Sequence, residues 1–226
     1  AHVDSEFIVD VFDAGIDEAT EMPFLVMELL RGEELGERLK RLKRLEPDEM
    51  LGYLHYVALA LDKTHQASII HRDLKPANVF LAEREEGGVR VKILDFGIAK
   101  IVAEGATTGG STQSLGTPLY MAPEQFNPRS KLTNAVDIYA LGMMAYTLLV
   151  GVPYWFDEAR GGNVYAVVAV AIHGIPEAPS IRAAARNVQL SPAFDAWFAR
   201  ATALDPKARF AKASEAVREL AVALGK

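Results

Sequence analysis

The side chains best suited to chemistry are concentrated in the stretch His71–Asn78. This stretch places the carboxylate of Asp73 close to the amine of Lys75 and the side-chain amide of Asn78. It follows the apolar pair Ile69–Ile70 and precedes a strand-like run, so it is predicted to be a loop between strands. Catalytic groups are often found on loops that a rigid framework positions. This loop is therefore the first candidate for an active site.

A second candidate group lies at the end of a predicted hairpin. The runs Val79–Leu81 and Val89–Leu94 are strand-like, and Glu85–Gly88 supplies the turn between them. Folding this hairpin brings the amide oxygen of Asn78 and the carboxylate of Asp95 to the same end. Two hard oxygen ligands suit Mg²⁺. Either residue alone is readily explained as a turn residue at a strand end, but their combination with the charged loop favours a site.

The composition excludes several classes of function. The 226 residues include 24 Lys and Arg against 30 Asp and Glu, a net charge of −6, and no basic stripe suits a nucleic-acid backbone. The chain has no cysteine, and so no disulfide, no thiolate metal site and no cysteine nucleophile. Catalysis must rest on carboxylates, hydroxyls, lysine or histidine. We expect a reducing compartment, the cytoplasm.

No segment is predicted to cross a membrane. The longest apolar run, Ala135–Val150, is interrupted by Asp137 and is shorter than the roughly 18 residues that a span needs, so it is predicted to be a buried helix. The sequence opens with Ala-His-Val-Asp, without a signal-peptide pattern or an initiator Met. We expect this start to be a cut in a longer chain.

The order of elements indicates an α+β fold, with a small strand region followed by a mostly helical body. Strands are predicted for Phe7–Phe12 and Phe24–Glu28, and helices for Glu33–Leu45 and from Pro47 to near His65. Residues 103–118, rich in Gly, Ser and Thr, are predicted to be a long exposed loop. The helices predicted after this loop are Pro123–Phe126, Asn134–Leu149, Asn163–His173, Pro192–Ala203 and Ala211–Leu224.

Several stretches together resemble one family. His71–Asn78 and Asp95–Gly97 resemble the catalytic loop and the magnesium motif of eukaryotic-type (Hanks-type) serine/threonine protein kinases. Further stretches resemble, in order, the end of that family's activation segment, its central buried helix and a late turn: Gly116–Glu124, Asp137–Gly142 and Asp205–Phe210. The order and spacing make coincidence negligible. The alanine-rich helices and Pro123–Gln125 are similar to the bacterial branch.

The resemblance implies a fold and a function. The fold would be protein-kinase-like, with a mainly α-helical C-terminal lobe and remnant strands of the N-terminal lobe. Residues 1–30 would be the remnant of the N-lobe sheet and the hinge, and residues 31–226 the C-lobe with the catalytic loop and activation segment. The implied reaction transfers the γ-phosphoryl of ATP to Ser or Thr hydroxyls of proteins, with ATP and Mg²⁺ as cofactors. The implied partners are protein substrates, and the resemblance leaves room for a kinase dimer.

Carried over residue by residue, the resemblance implies roles for the loop. Asp73 would orient the substrate hydroxyl and accept its proton, and Lys75 would neutralise charge on the transferred phosphoryl group. Asn78 and Asp95 would hold Mg²⁺ across the phosphates.

The resemblance also implies a nucleotide pocket. Phe24–Leu30 resembles the hinge between the lobes, with the backbone of Glu28 and Leu30 facing adenine. Glu34 would reach the ribose, and Phe80 would form the apolar floor under the base. For Phe80 the alternative is ordinary core packing.

A regulatory group is implied as well. Arg72 precedes the catalytic aspartate and would pair with a phosphate on the activation segment. We hypothesise that Thr112 or Ser114 is the phosphorylated switch, the alternative being a plain polar loop. Thr117 lies in the same segment. Together, Lys75 and Thr117 are typical of the serine/threonine class rather than the tyrosine class.

Three charged residues are assigned structural roles. In the family, the aspartate matching Asp137 braces the catalytic loop, and its place in the first turn of a helix also suits the helix dipole. Glu124 and Arg209 resemble the family's buried ion pair.

The sequence departs from a complete kinase. No G-x-G-x-x-G occurs in it, and Lys92 and Lys100 flank Asp95–Gly97, so neither can be the strand lysine that pairs with a helix glutamate. We expect the chain to lack most of the N-terminal lobe and to hold ATP weakly, and an inactive fragment stays an open alternative. Ala77 stands where many kinases that prefer basic peptides carry Glu, so a preference for Arg or Lys near the phosphoacceptor is not expected from the resemblance.

Two other functions stay open. A non-catalytic, pseudokinase-like scaffold that binds protein partners would fit the absence of the strand lysine. A small-molecule phosphotransferase of related fold would lack the Ala-Pro-Glu segment and its long preceding loop, so residues 103–124 count against it.

Overall fold

The structure is a computed structural model that describes residues 5–18, 20, 22–84, 86–95, 118–160 and 164–226. These residues form two small antiparallel sheets and seven α-helices. The strands are β1 Val11–Ile16, β2 Pro23–Met27, β3 Gly32–Glu34, β4 Val79–Glu83 and β5 Val89–Ile93. The helices are α1 Leu35–Leu42, α2 Pro47–Gln66, α3 Ala135–Val150, α4 Val164–Ala171, α5 Pro179–Ala184, α6 Pro192–Ala201 and α7 Ala213–Ala223.

The first sheet pairs β1 with β2, and its first strand lies further along the chain than the predicted Phe7–Phe12. The reason is that the predicted run Phe7–Phe12 contacts two different strand partners. Ile8 forms a parallel bridge to Ile93 of β5, and the Val9 N–H donates to the Ile93 carbonyl at 3.0 Å. The chain then turns outward as β1, where Phe12 is 69% exposed. The start of the run therefore pairs with β5 of the second sheet, and only its end enters the first sheet.

The second sheet has the order β3-β4-β5, and it confirms the predicted hairpin. Gly87 and Gly88 of the turn have φ values of 87° and 82°, a region that glycine adopts without strain. The short strand β3 was not predicted. Gly32 begins it at φ 138°, where an added Cβ would lie 2.1 Å from the Leu81 carbonyl oxygen.

Two helices form the centre of the body. Helix α2 begins with Pro47 at its first position, as predicted, and ends at Gln66. Helix α3 is buried at every residue and packs against α2, α6 and α7. It ends at Gly151, where φ is 91° and an added Cβ would lie 2.0 Å from the Lys43 carbonyl oxygen. A helix that is apolar on all sides belongs in a core, as predicted for this run.

Two of the C-terminal helices, α6 and α7, pack against α3. Pro123–Phe126, predicted to be a helix, forms a 3-10 turn. Helix α5 was not predicted, because its six residues show no clear apolar period. It begins where Asp195 accepts hydrogen bonds from the Ser180 N–H at 2.8 Å and the Ser180 hydroxyl at 2.6 Å. Among the described residues, no helix has the length and apolar character to span a membrane.

Candidate active site

The loop that follows α2 is held by the central helix. Asp137, in the first turn of α3, accepts hydrogen bonds from the backbone N–H groups of His71 and Arg72, each at 2.9 Å. The ring Nε2 of His65 lies 2.7 Å from the same carboxylate. Arg72 has a φ of 66°, a left-handed conformation that non-glycine residues adopt only where neighbours hold them. The bracing contact expected of Asp137 is present.

The imidazole of His71 lies beneath this loop and is fully buried. Its Nε2 donates to the Leu94 carbonyl at 2.9 Å, and its Nδ1 accepts from the Asp73 N–H at 3.3 Å. Burial lowers the pKa of His71, although the negative charges of Asp137 and Asp73 act in the opposite direction. One donating and one accepting nitrogen describe a neutral ring. His71 therefore joins the loop to the chain just before Asp95, a role that its place in the motif did not reveal.

The loop brings together three of the side chains assigned from the sequence. Lys75 Nζ lies 2.8 Å from Asp73 Oδ2. Asn78 Nδ2 donates to the Asp73 carbonyl at 2.8 Å and to Oδ2 at 3.2 Å. Oδ1 of Asp73 has no hydrogen-bond partner in the described part of the chain. Within the described part of the chain, the carboxylate is therefore held through one oxygen.

The end of the hairpin carries the proposed metal ligands. The Leu94 N–H donates to the Asn78 carbonyl at 2.9 Å, so Asp95 follows directly after the residue that pairs with Asn78. Asp95 is exposed and has a φ of 51°. Because Asn78 uses its Nδ2 to bind Asp73, its Oδ1 is the atom left for a cation. One amide oxygen and one carboxylate fit Mg²⁺, which takes few protein ligands and completes its shell with water and phosphate oxygens.

Glu28, in the hinge-like stretch Phe24–Leu30, contacts a buried lysine of β5. Lys92 is 7% exposed, and its Nζ contacts the Glu28 carboxylate and the Ile8 carbonyl, the latter at 3.3 Å. The same carboxylate accepts the Asp10 N–H at 2.9 Å. Burial alone would raise the pKa of Glu28, but the hydrogen bonds from Lys92 and Asp10 hold the pKa below its ordinary value of 4.5. This contact was missed from the sequence, where an isolated lysine in an apolar strand was its only signal.

The residues assigned to the nucleotide lie near one another in the fold. Glu34 of β3 is the register partner of Phe80 of β4, and both side chains are half-buried. Leu30, also half-buried, precedes Arg31, whose carbonyl accepts the Glu83 N–H at 2.8 Å. The residue that follows the hinge-like stretch Phe24–Leu30 is thus hydrogen-bonded to the strand that carries Phe80.

The regulatory group is only partly described. Thr112, Ser114 and Thr117 lie outside the described residues, as do Phe96 and Gly97. Arg72 is half-buried at the surface of the catalytic loop.

Two further contacts connect the loop region to the rest of the body. The expected Glu124–Arg209 pair is bidentate, at 2.7 and 2.9 Å, and the Arg209 side chain is 0% exposed. The neighbouring Gln125 donates from Nε2 to the Arg72 carbonyl at 2.8 Å. The contact of Gln125 was not foreseen, because a lone glutamine carries no signal of what it binds.

The comparisons with known proteins agree with this arrangement. The family model for the protein kinase domain matches residues 1–220. Serine/threonine-protein kinase Pkn1 of Myxococcus xanthus is 36% identical over 219 residues, which cover 97% of this chain and 30% of that kinase. Serine/threonine-protein kinase A of Synechocystis is 40% identical over 168 residues, which cover 70% of this chain and 31% of that kinase. The chain therefore spans less than a third of the length of these two relatives.

A solved structure shares the fold. The crystal structure of the Mycobacterium tuberculosis PknI kinase domain aligns with a TM-score of 0.69 at 24% identity, over 99% of this chain and 74% of that one. The predicted kinase fold, with a mainly helical lobe and a few remnant strands, is confirmed. The chain belongs to the protein kinase family, among the Hanks-type serine/threonine kinases of bacteria.

Proposed function

We propose that this chain is the catalytic part of a protein serine/threonine kinase, which transfers the γ-phosphoryl group of ATP to Ser or Thr hydroxyls of proteins. The observation that carries the proposal is the way in which the Asp73 carboxylate is bound by its neighbours. One of its carboxylate oxygens is bound by Lys75 and Asn78, and the other has no hydrogen-bond partner among the described residues. A base that is fixed in place through one oxygen suits a reaction that depends on positioning.

In the proposed step, the substrate hydroxyl oxygen forms a bond to the γ-phosphorus as the bond to the bridging oxygen of ADP breaks. The hydroxyl proton passes to Asp73, and ADP leaves with the electron pair of the broken bond. Lys75 stays close to Asp73. Its positive charge stabilises the phosphoryl oxygens while the phosphoryl group moves from ADP to the substrate hydroxyl.

Asn78 and Asp95 would hold Mg²⁺ through the Asn78 Oδ1 and the Asp95 carboxylate. The bound cation would compensate charge on the ATP phosphates. The exposure of Asp95 and the commitment of the Asn78 Nδ2 to Asp73 support this assignment.

ATP would sit against the hinge. In this proposal the backbone of Glu28 and Leu30 meets adenine, Glu34 reaches the ribose and Phe80 lies under the base. The pairing of Glu34 with Phe80 across two strands supports a shared pocket.

Activation would act through Arg72. We assign it to a phosphate on Thr112 or Ser114, with Thr117 in the same segment. Phosphopeptide mapping of an active preparation should find one of these two sites modified, and finding neither would contradict the assignment. A kinase dimer and a cytoplasmic location stay predictions from the sequence.

The experiment is transfer of labelled γ-phosphate from Mg·ATP to a generic protein rich in Ser and Thr. Because residues 1–226 contain no G-x-G-x-x-G motif to cover the phosphates, Mg·ATP should be supplied at about 5 mM, above the usual KM range. We expect phosphoserine and phosphothreonine, and no transfer by Asp73→Asn. A folded chain that binds Mg·ATP but transfers no more than this variant would contradict the proposal and favour the non-catalytic scaffold.

A further inference from the structure

A side-chain amide bridges two segments beside the candidate site. Gln125, in the 3-10 turn Pro123–Phe126, donates from Nε2 to the Arg72 carbonyl at 2.8 Å. Its Oε1 accepts the Ala122 N–H at 3.0 Å, and its own N–H donates to the Ala122 carbonyl at 2.9 Å. The amide is therefore held at both ends.

The chemistry of these partners requires glutamine. A carbonyl oxygen only accepts a hydrogen bond and a backbone N–H only donates one, so a reversed amide would set like groups against each other. Glutamate at position 125 could still accept from Ala122, but at neutral pH it could not donate to Arg72. Asparagine is one methylene shorter.

The contacted carbonyl belongs to the peptide group that joins Arg72 to Asp73. This group is planar, so holding its two edges fixes its orientation. Gln125 holds the carbonyl edge, and the ring of His71 holds the Asp73 N–H at 3.3 Å. The direction in which the Asp73 side chain leaves the backbone follows from that orientation.

Arg72 needs this restraint more than most residues. Its left-handed φ of 66° is maintained on the N–H side by Asp137 at 2.9 Å and on the carbonyl side by Gln125. Loss of the Gln125 contact would leave the carbonyl side free to relax toward a less strained conformation.

The geometry points to Gln125 as a positioning residue for Asp73, which acts through the Arg72–Asp73 peptide group. Its second partner, Ala122, lies at the end of the stretch that resembles the activation segment. Gln125 thus transmits the position of that segment to the catalytic aspartate. This inference rests on the proposed function, because it takes Asp73 as the catalytic base.

The kinetic test compares Gln125→Glu with Gln189→Glu, the same chemical change at an exposed site. In Gln125→Glu the acceptor for Ala122 is kept and the donor to Arg72 is lost. We expect kcat to fall between about threefold and tenfold, the range of one lost hydrogen bond, with the KM for ATP unchanged within about twofold. Gln189→Glu should match the unmodified chain.

A second substitution separates positioning from simple capping of the 3-10 turn. Gln125→Met keeps the length of the side chain and loses both contacts. If Gln125 only caps the turn, Gln125→Met should lose activity and Gln125→Glu should keep it. That result in an active chain would overturn the inference while leaving the proposed function intact.

A measurement that does not depend on phosphoryl transfer distinguishes failure of this inference from failure of the proposed function. In the ¹⁵N-labelled 226-residue chain, the amide of Asp73 shares its peptide group with the contacted carbonyl. Gln125→Glu should move this amide resonance and speed its hydrogen exchange, and Gln189→Glu should do neither. If the Asp73 amide resonance does not move in Gln125→Glu, the inference is overturned, even if the chain transfers no phosphate. If the unmodified chain transfers no more phosphate than Asp73→Asn, that result counts against the proposed function alone.

Discussion

The ring of His71 and the backbone of Asp73 are joined by a hydrogen bond of 3.3 Å, in which the imidazole Nδ1 accepts the Asp73 N–H. The opposite ring nitrogen donates to the Leu94 carbonyl. A second proton on the ring would therefore meet a donor. The neutral form that burial favours is also the form that connects the catalytic loop to the residue before Asp95.

This arrangement predicts a dependence of stability on pH. Burial lowers the pKa of His71 in the folded chain below its ordinary value of 6.5. As the pH falls below 6.5, the unfolded chain takes up a proton here and the folded chain does not, so the free energy of unfolding falls until the lowered pKa is reached. The slope due to His71 is up to about 1.4 kcal/mol per pH unit.

Urea unfolding at a series of pH values measures this slope. His71→Gln keeps a donor toward Leu94 but cannot titrate, so its slope should be shallower than that of the unmodified chain. His173→Gln, at an exposed histidine, should leave the slope unchanged. Equal slopes in the unmodified chain and His71→Gln would show that His71 does not contribute.

The ion pair between Glu124 and Arg209 predicts a large effect on stability. The guanidinium also donates to the carbonyls of Ala203 and Ala135, each at 2.8 Å, so Arg209→Met removes four hydrogen bonds and leaves the Glu124 carboxylate, 13% exposed, without its partner. We expect a loss of about 3–5 kcal/mol in the free energy of unfolding, measured in urea. Arg129→Met, at an exposed arginine, should change it by less than about 0.5 kcal/mol. The prediction is wrong if the two variants lose similar amounts.

The sequence predicted the elements whose patterns are long or whose motifs are dense. Helix α2 has a proline at its start and an apolar stripe along its length, and helix α3 is an apolar run whose one charged residue is Asp137 near its start, so both were located to within a residue or two. The stretch His71–Asn78 was singled out as the candidate catalytic loop because several chemical groups occur together in it. The close approach of Lys75 and Asn78 to Asp73 follows from their short separation along the chain.

Features that depend on distant packing were not predictable in this way. The run from Phe7 contacts β5 before it enters its own sheet, and local β-propensity cannot distinguish these two partners. The contacts of Lys92 with Glu28 and of Gln125 with Arg72 join residues far apart in the chain. A single lysine or glutamine indicates no partner until the fold brings one within reach.

Asp137 predicts an effect that combines stability with activity. Its carboxylate accepts from the N–H groups of both His71 and Arg72, and Asp137→Asn would set an amide N–H against one of them. We expect a loss of about 1–3 kcal/mol in the free energy of unfolding, together with a lower kcat for phosphoryl transfer. Asp48→Asn, at a largely exposed carboxylate paired with Lys226, is the matched control and should change both quantities little. An Asp137→Asn chain as stable and as active as the control would rule out the bracing role.

The buried contact between Lys92 of β5 and Glu28, the residue after β2, predicts an effect on stability. Lys92→Met removes the donor to both Glu28 and the Ile8 carbonyl, and leaves a carboxylate that is 24% exposed without its cation. We expect a loss of about 1–3 kcal/mol in the free energy of unfolding at neutral pH. Lys40→Met breaks an exposed pair with Glu37 and should cost less than about 1 kcal/mol.

The difference between Lys92→Met and the unmodified chain should also depend on pH. Because the pKa of Glu28 is held below 4.5, the contact stabilises the fold above that pH and is lost as the pH falls through the lowered value. The unfolding curves of the two chains should therefore converge in acid and separate at neutral pH. Glu28 lies in the stretch proposed as the hinge, and Lys92 precedes Asp95 by three positions. The same variant should therefore weaken the binding of Mg·ATP, measured by calorimetry. Unchanged affinity with reduced stability would limit Lys92 to a role in folding.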